Sequence, residues 1–594
     1  LSGLPWTVRV DPLFEADADV PPELSRKLRD GFPGHVPGVV HTDLLAAGLI
    51  EDPCAGDHEE RLRWIGDQTW IYSTELTLEA GASELTSDHC AMVCHGLDTI
   101  ADVAVNGEIV LRATNMHRRW IVDLTGRLHE GTNQFTFAFL PAPAYAYEQE
   151  KILGPRPRVS EVPYNAIRKM ACNFGWDWGP YLATAGIWKP LELRSWNFAH
   201  IAEAQLIPDL RIEPDGSTTG LLEVRLAIPG DLRFTSLTIR VEGLGVRFEE
   251  GMIAESETRV MLTIPDVQAW WPHSMGDQPM YEARIKLHND VAVLDEVEDR
   301  VGFRHVELDT TPDPGGQGAR FALAINDEPI FVRGADWIPD DCFPSRVDDE
   351  RYRGRIAQAV DANIDFLRVW GGGIFEQDGF YRACDEAGVL VWQDMLLACA
   401  AYSEGEPLRS EIEAEVRDNV SRLSGHPCLV LWCGNNENIW GQADWNWRAD
   451  LDGASWGAGY YYDLFPALLA ELDPSRPYWP GSPFSGHVHI HPENPAYGCT
   501  HIWDVWNERD YSHYTAWSPR FVSEFGYQGP ATWATWQHVA DPQDQAAASP
   551  VMLHHQKATD GSSKLERGAA PHLPAAPADV AGFDDWLWTM QLQQ

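Results

Sequence analysis

The sequence predicts a multidomain fold: an N-terminal β-sandwich of jelly-roll type over 1–196, an immunoglobulin-like β-sandwich over 197–305, and a (β/α)8 barrel over 306–594 that stops before its eighth strand. Three observations predict it. The chain has 594 residues, more than one hydrophobic core normally serves, so two to four domains are expected. Its first half is built of short alternating or β-branched runs between Gly, Asn, Asp and Pro turns, the pattern of sheets with one buried face. From about residue 320 apolar strands alternate with helix-like stretches, which implies a parallel sheet.

In the first domain the runs "WIYSTELTL", "DVAVNGEIVL" and "NQFTFAFL" read as strands, as in other all-β sandwiches. The second domain continues with "LLEVRLAI", "SLTIRVEGL", "ETRVMLTI" and "YEARIKLHN" at regular spacing, and "VGFRHVELD" marks its end. Seven barrel strands follow, in "PIFVRGADW", "IDFLRVWGGG", "GVLVWQD", "CLVLWCG", "PYWPGS", "CTHIW" and "RFVSEF". Helices are predicted in "RYRGRIAQAVDAN" and "RSEIEAEVRDNVSRLSG". The small, polar, Pro-containing residues Ala546–Ala581 are expected to form a loop or mobile excursion with one short helix-like piece. A helix in "FDDWLWTMQLQQ", with Trp and Leu on one side, ends the chain. A barrel one strand short would present two unpaired edges.

The composition, 44% hydrophobic and 23% charged, supports packed cores and excludes a mainly disordered chain. Acids outnumber bases 89 to 45, for a net charge of -44, which would repel phosphate backbones and anionic lipid. No nucleic-acid or membrane partner is expected. Several of the ten cysteines lie inside apolar runs such as "MVCHGL" and "CLVLWC", so they read as buried hydrophobes rather than a disulfide framework. That favours a reducing, cytoplasmic setting, or a secreted one if a leader has been removed. The first residues, "LSGLPWTVRV", lack the regions of a signal peptide, and no apolar segment approaches membrane-spanning length. A monomer or homodimer is expected.

In a barrel the C-terminal strand ends carry the chemistry. Two acids sit there: Glu437, in "LVLWCGNNENIW" after the fourth strand, and Glu524, in "RFVSEFGYQ" at the end of the seventh. Paired carboxylates flanking one bond are the machinery of glycoside hydrolysis. Asn435 and Asn436, beside Glu437, are uncharged donors suited to sugar hydroxyls. Along "DFLRVWGGG" a period of two puts Phe366, Arg368 and Trp370 on one side. Arg368 is therefore expected to face the barrel interior and hold a neighbouring carboxylate ionised, while Trp370 supplies a flat wall for a sugar ring. In "NFGWDWGP", Trp176 and Trp178 bracket Asp177, a combination that fits either a sugar platform or a domain-packing loop.

These residues resemble glycoside hydrolase family 2, in its exo-acting β-mannosidase branch. The resemblance rests on "GLDTIADVAVNG", "NFGWDWGP", "FVRGADWIP", "RVWGGGIFEQDGFYRACDEAGVLVWQD", "LWCGNNEN" and "SEFGYQ", and covers essentially the whole chain. It implies a sugar-binding-like first domain and a retaining mechanism with Glu437 as acid/base and Glu524 as nucleophile, the first protonated at rest and the second ionised. It further implies that Asn436 bonds the 2-hydroxyl of a terminal mannose and that Asp177 and Trp178 grip its far hydroxyls. Trp370 would line the same subsite, and "HIWDVW" makes His501 and Trp503 pocket residues. The implied partner is a β-mannoside oligosaccharide or glycoside. Cys499 stands where the family usually has an acid two residues before the His, and the family continues past the length of this chain. Two alternatives stay open: a family 2 β-glycosidase for another sugar (β-glucoside, β-galactoside or β-glucosaminide), and a non-catalytic carbohydrate-binding remnant.

Other patterns carry less. His487, His489 and His491 alternate in "SGHVHIHPEN", yet barrel hydrolases that bind metal through paired histidines carry them on an early strand, so neither metal nor cofactor is expected. Cys90 and Cys94 share one side of an apolar strand and read as core. "GASWG" matches a serine-nucleophile turn but no apolar strand precedes it.

Overall fold

A computed structural model describes residues 1–12, 20 and 22–594. In the first sandwich, six antiparallel strands run in the spatial order Phe32–Gly34, Trp6–Val10, Trp70–Leu78, Gly131–Leu140, Ile100–Val105 and Glu108–Ala113. A three-stranded sheet of Leu191–Trp196, His89–Cys94 and Trp120–Asp123 accompanies it. Alternate residues of Gly131–Leu140 are buried, so Phe135, Phe137 and Phe139 enter one core with Trp6, Tyr72 and Met92. Cys90 and Cys94 lie in that core as expected. Asn106 and Gly107, at φ 51° and 82°, take the left-handed turn that an Asn-Gly hairpin requires.

The second unit pairs a sheet of Glu203–Ile212, Thr218–Ala227 and Glu257–Pro265 with one of Val246–Ile253, Thr235–Gly243, Tyr281–Asn289 and Val293–Val301. Leu222, Val224, Leu262, Ile239 and Ile285 are buried in a common core.

The seven predicted barrel strands all form. Strands β1 (Gly334–Trp337), β2 (Phe366–Val369), β3 (Leu390–Asp394), β4 (Leu429–Cys433) and β5 (Tyr478–Trp479) pair in parallel in that order, and β6 (Thr500–Ile502) pairs in parallel with β7 (Val522–Phe525). Helices α1 (Asp349–Asp361), α2 (Asp378–Ala387) and α3 (Leu408–Leu423) separate the first four strands. Every residue of β2, β3 and β4 is buried, as strands covered on both faces must be. Among the described residues no strand pairs with the outer edge of β1 or of β7, and residues from both edges line one cavity. That opening is here called the seam.

The expectation of a loop over Ala546–Ala581 is corrected. Helices form at Pro550–His555 and Gly561–Ala569, and Met552 and Leu565 pack with Trp506, Trp536, Phe583, Trp586 and Leu587. Only one large side chain per helix is buried, Met552 in a helix of six residues and Leu565 among small and charged ones, which gives too weak a periodicity to read. Ser549 caps the first of these helices by accepting from Met552 N, an N-cap of ordinary kind. The terminal helix, Phe583–Gln593, covers this satellite core.

Candidate active site

Glu437 follows β4 at the N-cap of the helix Asn438–Asp444, with φ 63°. A side chain in this left-handed region costs about 1–3 kcal/mol and persists only where its surroundings dictate it. Its neighbours do so. Glu437 N donates to Ser482 O at 2.7 Å. Asn435 Oδ1 accepts from Asn438 N at 2.9 Å and Asn435 Nδ2 donates to Pro480 O at 2.9 Å. Asn438 accepts from Ala400 N at 3.0 Å and donates to Tyr461 Oη at 2.8 Å. The expectation that Asn435 serves sugar hydroxyls is therefore revised: it is fully buried and both ends of its amide hold main chain. Asn436 does line the cavity. Its Oδ1 accepts from Arg368 Nη2 at 2.7 Å, and its Nδ2 donates to Cys399 Sγ at 3.2 Å.

Glu524 stands at the end of β7. Arg368 Nη1 donates to its Oε1 at 2.7 Å and Trp503 Nε1 to its Oε2 at 2.9 Å. Burial alone would raise this carboxyl, but the charges of His501 and Arg368 outweigh it and hold Glu524 below its ordinary value. Arg368, buried on β2, also donates to Asp394 Oδ2 at 2.8 Å and Asp336 Oδ1 at 3.1 Å. Burial works against its charge, and Asp394, Asp336 and Glu524 more than restore it.

His501, on β6, has no exposed side-chain surface. It stands behind the two acids, off the cavity wall where the sequence placed it. Its Nδ1 is 2.8 Å from Glu437 Oε1 and 3.3 Å from Glu524 Oε2. One atom from each of the three residues lies within 4.8 Å of the others, a spacing that would suit a metal ion and equally suits a shared proton. Cys399 Sγ lies 3.1 Å from Glu437 Oε2 on the other side; burial and the nearby carboxylate push this thiol well up, so it stays protonated and donates. Glu493 accepts from His501 N at 3.2 Å, and burial pushes it up to about 7.

A cavity of about 1470 Å³ opens over the acids. Asp177, Trp178, Trp370, Asn436, Glu437, Trp503, Glu524 and Arg368 all line it, which gathers the anticipated site residues except His501 and Asn435. The loop from the first sandwich thus reaches the barrel mouth: the Trp178 ring stands 5.4 Å and the Trp176 ring 4.8 Å from that of Trp370, both edge-on. Gln528 Nε2 ties Asp177 O at 2.7 Å. Burial first, then the charges of Glu437 and Glu524, raise the Asp177 carboxyl. Sequence reasoning missed Trp440 and Trp445, which line the cavity just after the acid, although two indoles so close to Glu437 were a signal. For Cys399, one thiol in the apolar run "LLACAA", there was none.

A parallel barrel with two carboxylates, an arginine and tryptophans at its strand ends, entered by a loop from a β-sandwich, defines a carbohydrate-active hydrolase. Residues 23–189 match the model "Glycosyl hydrolase 2 galactose-binding domain-like" and residues 202–304 match "Glycosyl hydrolases family 2". The chain is 31% identical to a β-mannosidase of Capra hircus over 95% of its own length and 67% of that protein. It is 33% identical to a β-mannosidase B of Emericella nidulans over 94% and 67%. The crystal structure of a β-D-mannosidase from Dictyoglomus thermophilum superimposes with a TM-score of 0.90 at 30% identity, covering 100% of this chain and 70% of the other. The chain belongs to glycoside hydrolase family 2.

Proposed function

We propose that this protein is an exo-acting β-mannosidase that removes terminal, non-reducing β-D-mannose by double displacement. The observation that carries the reading is the convergence of Glu437 and Glu524, with carboxylate oxygens within 4.8 Å through His501, in a pocket roofed by Asp177 and Trp178. Such closeness suits retaining rather than inverting chemistry, which needs room for a water between the acids. Glu524, ionised and aligned by Arg368 and Trp503, attacks the anomeric carbon. Glu437 gives its proton to the departing oxygen, then takes one from the water that cleaves the glycosyl ester. Asn436 is assigned the 2-hydroxyl, Asp177 and Trp178 the distal hydroxyls, and Trp370 and Trp503 the ring faces. The names of the relatives favour mannose over glucose, galactose or glucosamine. Within the same proposal, 1–196 is a jelly-roll-like sandwich, 197–305 an immunoglobulin-like one and 306–594 the barrel, with the seam as the place of an eighth strand.

The test is hydrolysis of aryl β-mannosides beside a panel of other aryl β-glycosides. Glu524→Ala should lose activity by at least about 10⁴-fold, and NMR of the first-formed sugar should show the β-anomer. Undiminished hydrolysis by Glu524→Ala, or an α-anomer formed first, would remove the reading.

A further inference from the structure

We infer that His501 is the positioning residue that stores the proton Glu437 delivers, with the two forming a dyad that shares one proton and passes it as charge on Glu524 is consumed. This rests on the mannosidase reading above, and its starting point is a chain of hydroxyls. Ser523 Oγ donates to Thr500 O at 3.4 Å, and Ser482 Oγ donates to Ser523 Oγ at 2.7 Å. A hydroxyl has a single proton. Having spent it on Ser523, Ser482 has only lone pairs for His501 Nε2, 2.8 Å away, so Nε2 carries a hydrogen. The tautomer is thereby fixed from behind the ring.

The front of the ring then has one arrangement. Nδ1 and Glu437 Oε1, 2.8 Å apart, would be two bare acceptors in contact unless a proton lies between them. Whether it rides on nitrogen or on oxygen, the dyad holds it. Glu524 Oε2, 3.3 Å from the same Nδ1, draws the proton toward the nitrogen while it is ionised. The other charged groups around the ring are Glu493, at His501 N, and Arg368 and Asp336 beside Glu524; the ring of Trp440 stands edge-on at 6.4 Å. When Glu524 bonds the anomeric carbon its charge is lost, and the imidazolium loses one of two counter-ions. The Nδ1–H bond then breaks as Oε1–H forms, and Glu437 protonates the leaving oxygen. In the second step Glu437 takes a proton from water and returns it to Nδ1. No proton is created or lost over the cycle.

The test uses the full chain. In His501→Gln, kcat/KM for a β-mannoside with a poor phenol leaving group should fall at least about tenfold, whereas a dinitrophenyl β-mannoside, which needs no acid, should change by less than about threefold. The basic limb of the pH profile should move in the variant. Equal losses on both substrates, or an unmoved limb, would overturn the inference by making the role structural. Should that variant not fold, Ser482→Ala keeps the imidazole and frees the tautomer; it should shift the basic limb with KM unchanged, and an unchanged profile counts against the dyad. Nitrogen-15 NMR of the unmodified protein reads the same point without turnover. A hydrogen on Nε2 and a shared one at Nδ1 near neutral pH support the inference, and a bare Nδ1 overturns it even if the sugar specificity proves to be different.

Discussion

Arg368 touches Glu524, Asp394, Asp336 and Asn436, so one guanidinium fixes both the charge and the aim of the proposed nucleophile. Glu524 must be ionised to attack, and His501 and Arg368 hold it below its ordinary value; activity is therefore present above that lowered value and is lost as pH falls through it. Arg368→Met should move the acid limb of kcat/KM to higher pH, and a pH profile on an aryl β-mannoside measures the displacement. At the other carboxyl, Glu437→Gln should cost about 10²–10⁴-fold with a poor leaving group while leaving thermal stability nearly unchanged. Arg368, Trp370 and both acids were legible because a strand's period of two and the polarity of a barrel assign such side chains to a place through local pattern alone. His501 was legible only as a neighbour of the site. Which side of a carboxylate a buried ring occupies depends on Ser482 and Ser523, residues 19 and 22 positions away that no local pattern connects to it.

At the scale of elements, the pocket depends on a strap from the first sandwich, residues 158–178, laid across the barrel. Arg168 Nε and Nη2 donate to Glu415 of α3 at 2.8 and 2.6 Å, both residues buried. Tyr164 Oη is shared between Ala398 O and Cys399 O at 3.0 Å, Asn165 Nδ2 donates to Ala401 O at 2.7 Å, and Cys172 N to Gly372 O at 3.1 Å. Removing one partner of a buried pair strands the other, at about 3–5 kcal/mol. Arg168→Ala should lower stability by that order in chemical denaturation. It should also raise KM, because the loop that carries Trp178 loses its anchor. Trp178→Ala, with that tryptophan about a third exposed, should raise KM without comparable loss of stability. Several strands of the first half were readable almost to the residue, "WIYSTELTL" and "YEARIKLHN" being whole strands, since alternation and turn residues are local. The helices at Pro550–His555 and Gly561–Ala569 were not, because packing against distant indoles defines them.

Across the whole molecule, a net charge of -44 opposes compaction, and salt screens such repulsion within about 10 Å at 0.1 M. Raising sodium chloride from about 0.01 M to 0.5 M should therefore raise Tm, as differential scanning fluorimetry would show; a falling Tm would mean that attractive surface pairs dominate. The cavity has a broader consequence. Its walls come from two parts of the chain, with Asp177 and Trp178 on the strap and the two acids at the strand ends of the barrel, so a bound sugar touches both at once. Anything that fills the site becomes a thermodynamic clasp between them, since separation would expel it. A mannose-shaped iminosugar at 100 times its Kd should stabilise the assembled chain by about 2.7 kcal/mol, and it should slow proteolysis of the strap far more than that of the second sandwich, which supplies no residue to the cavity wall.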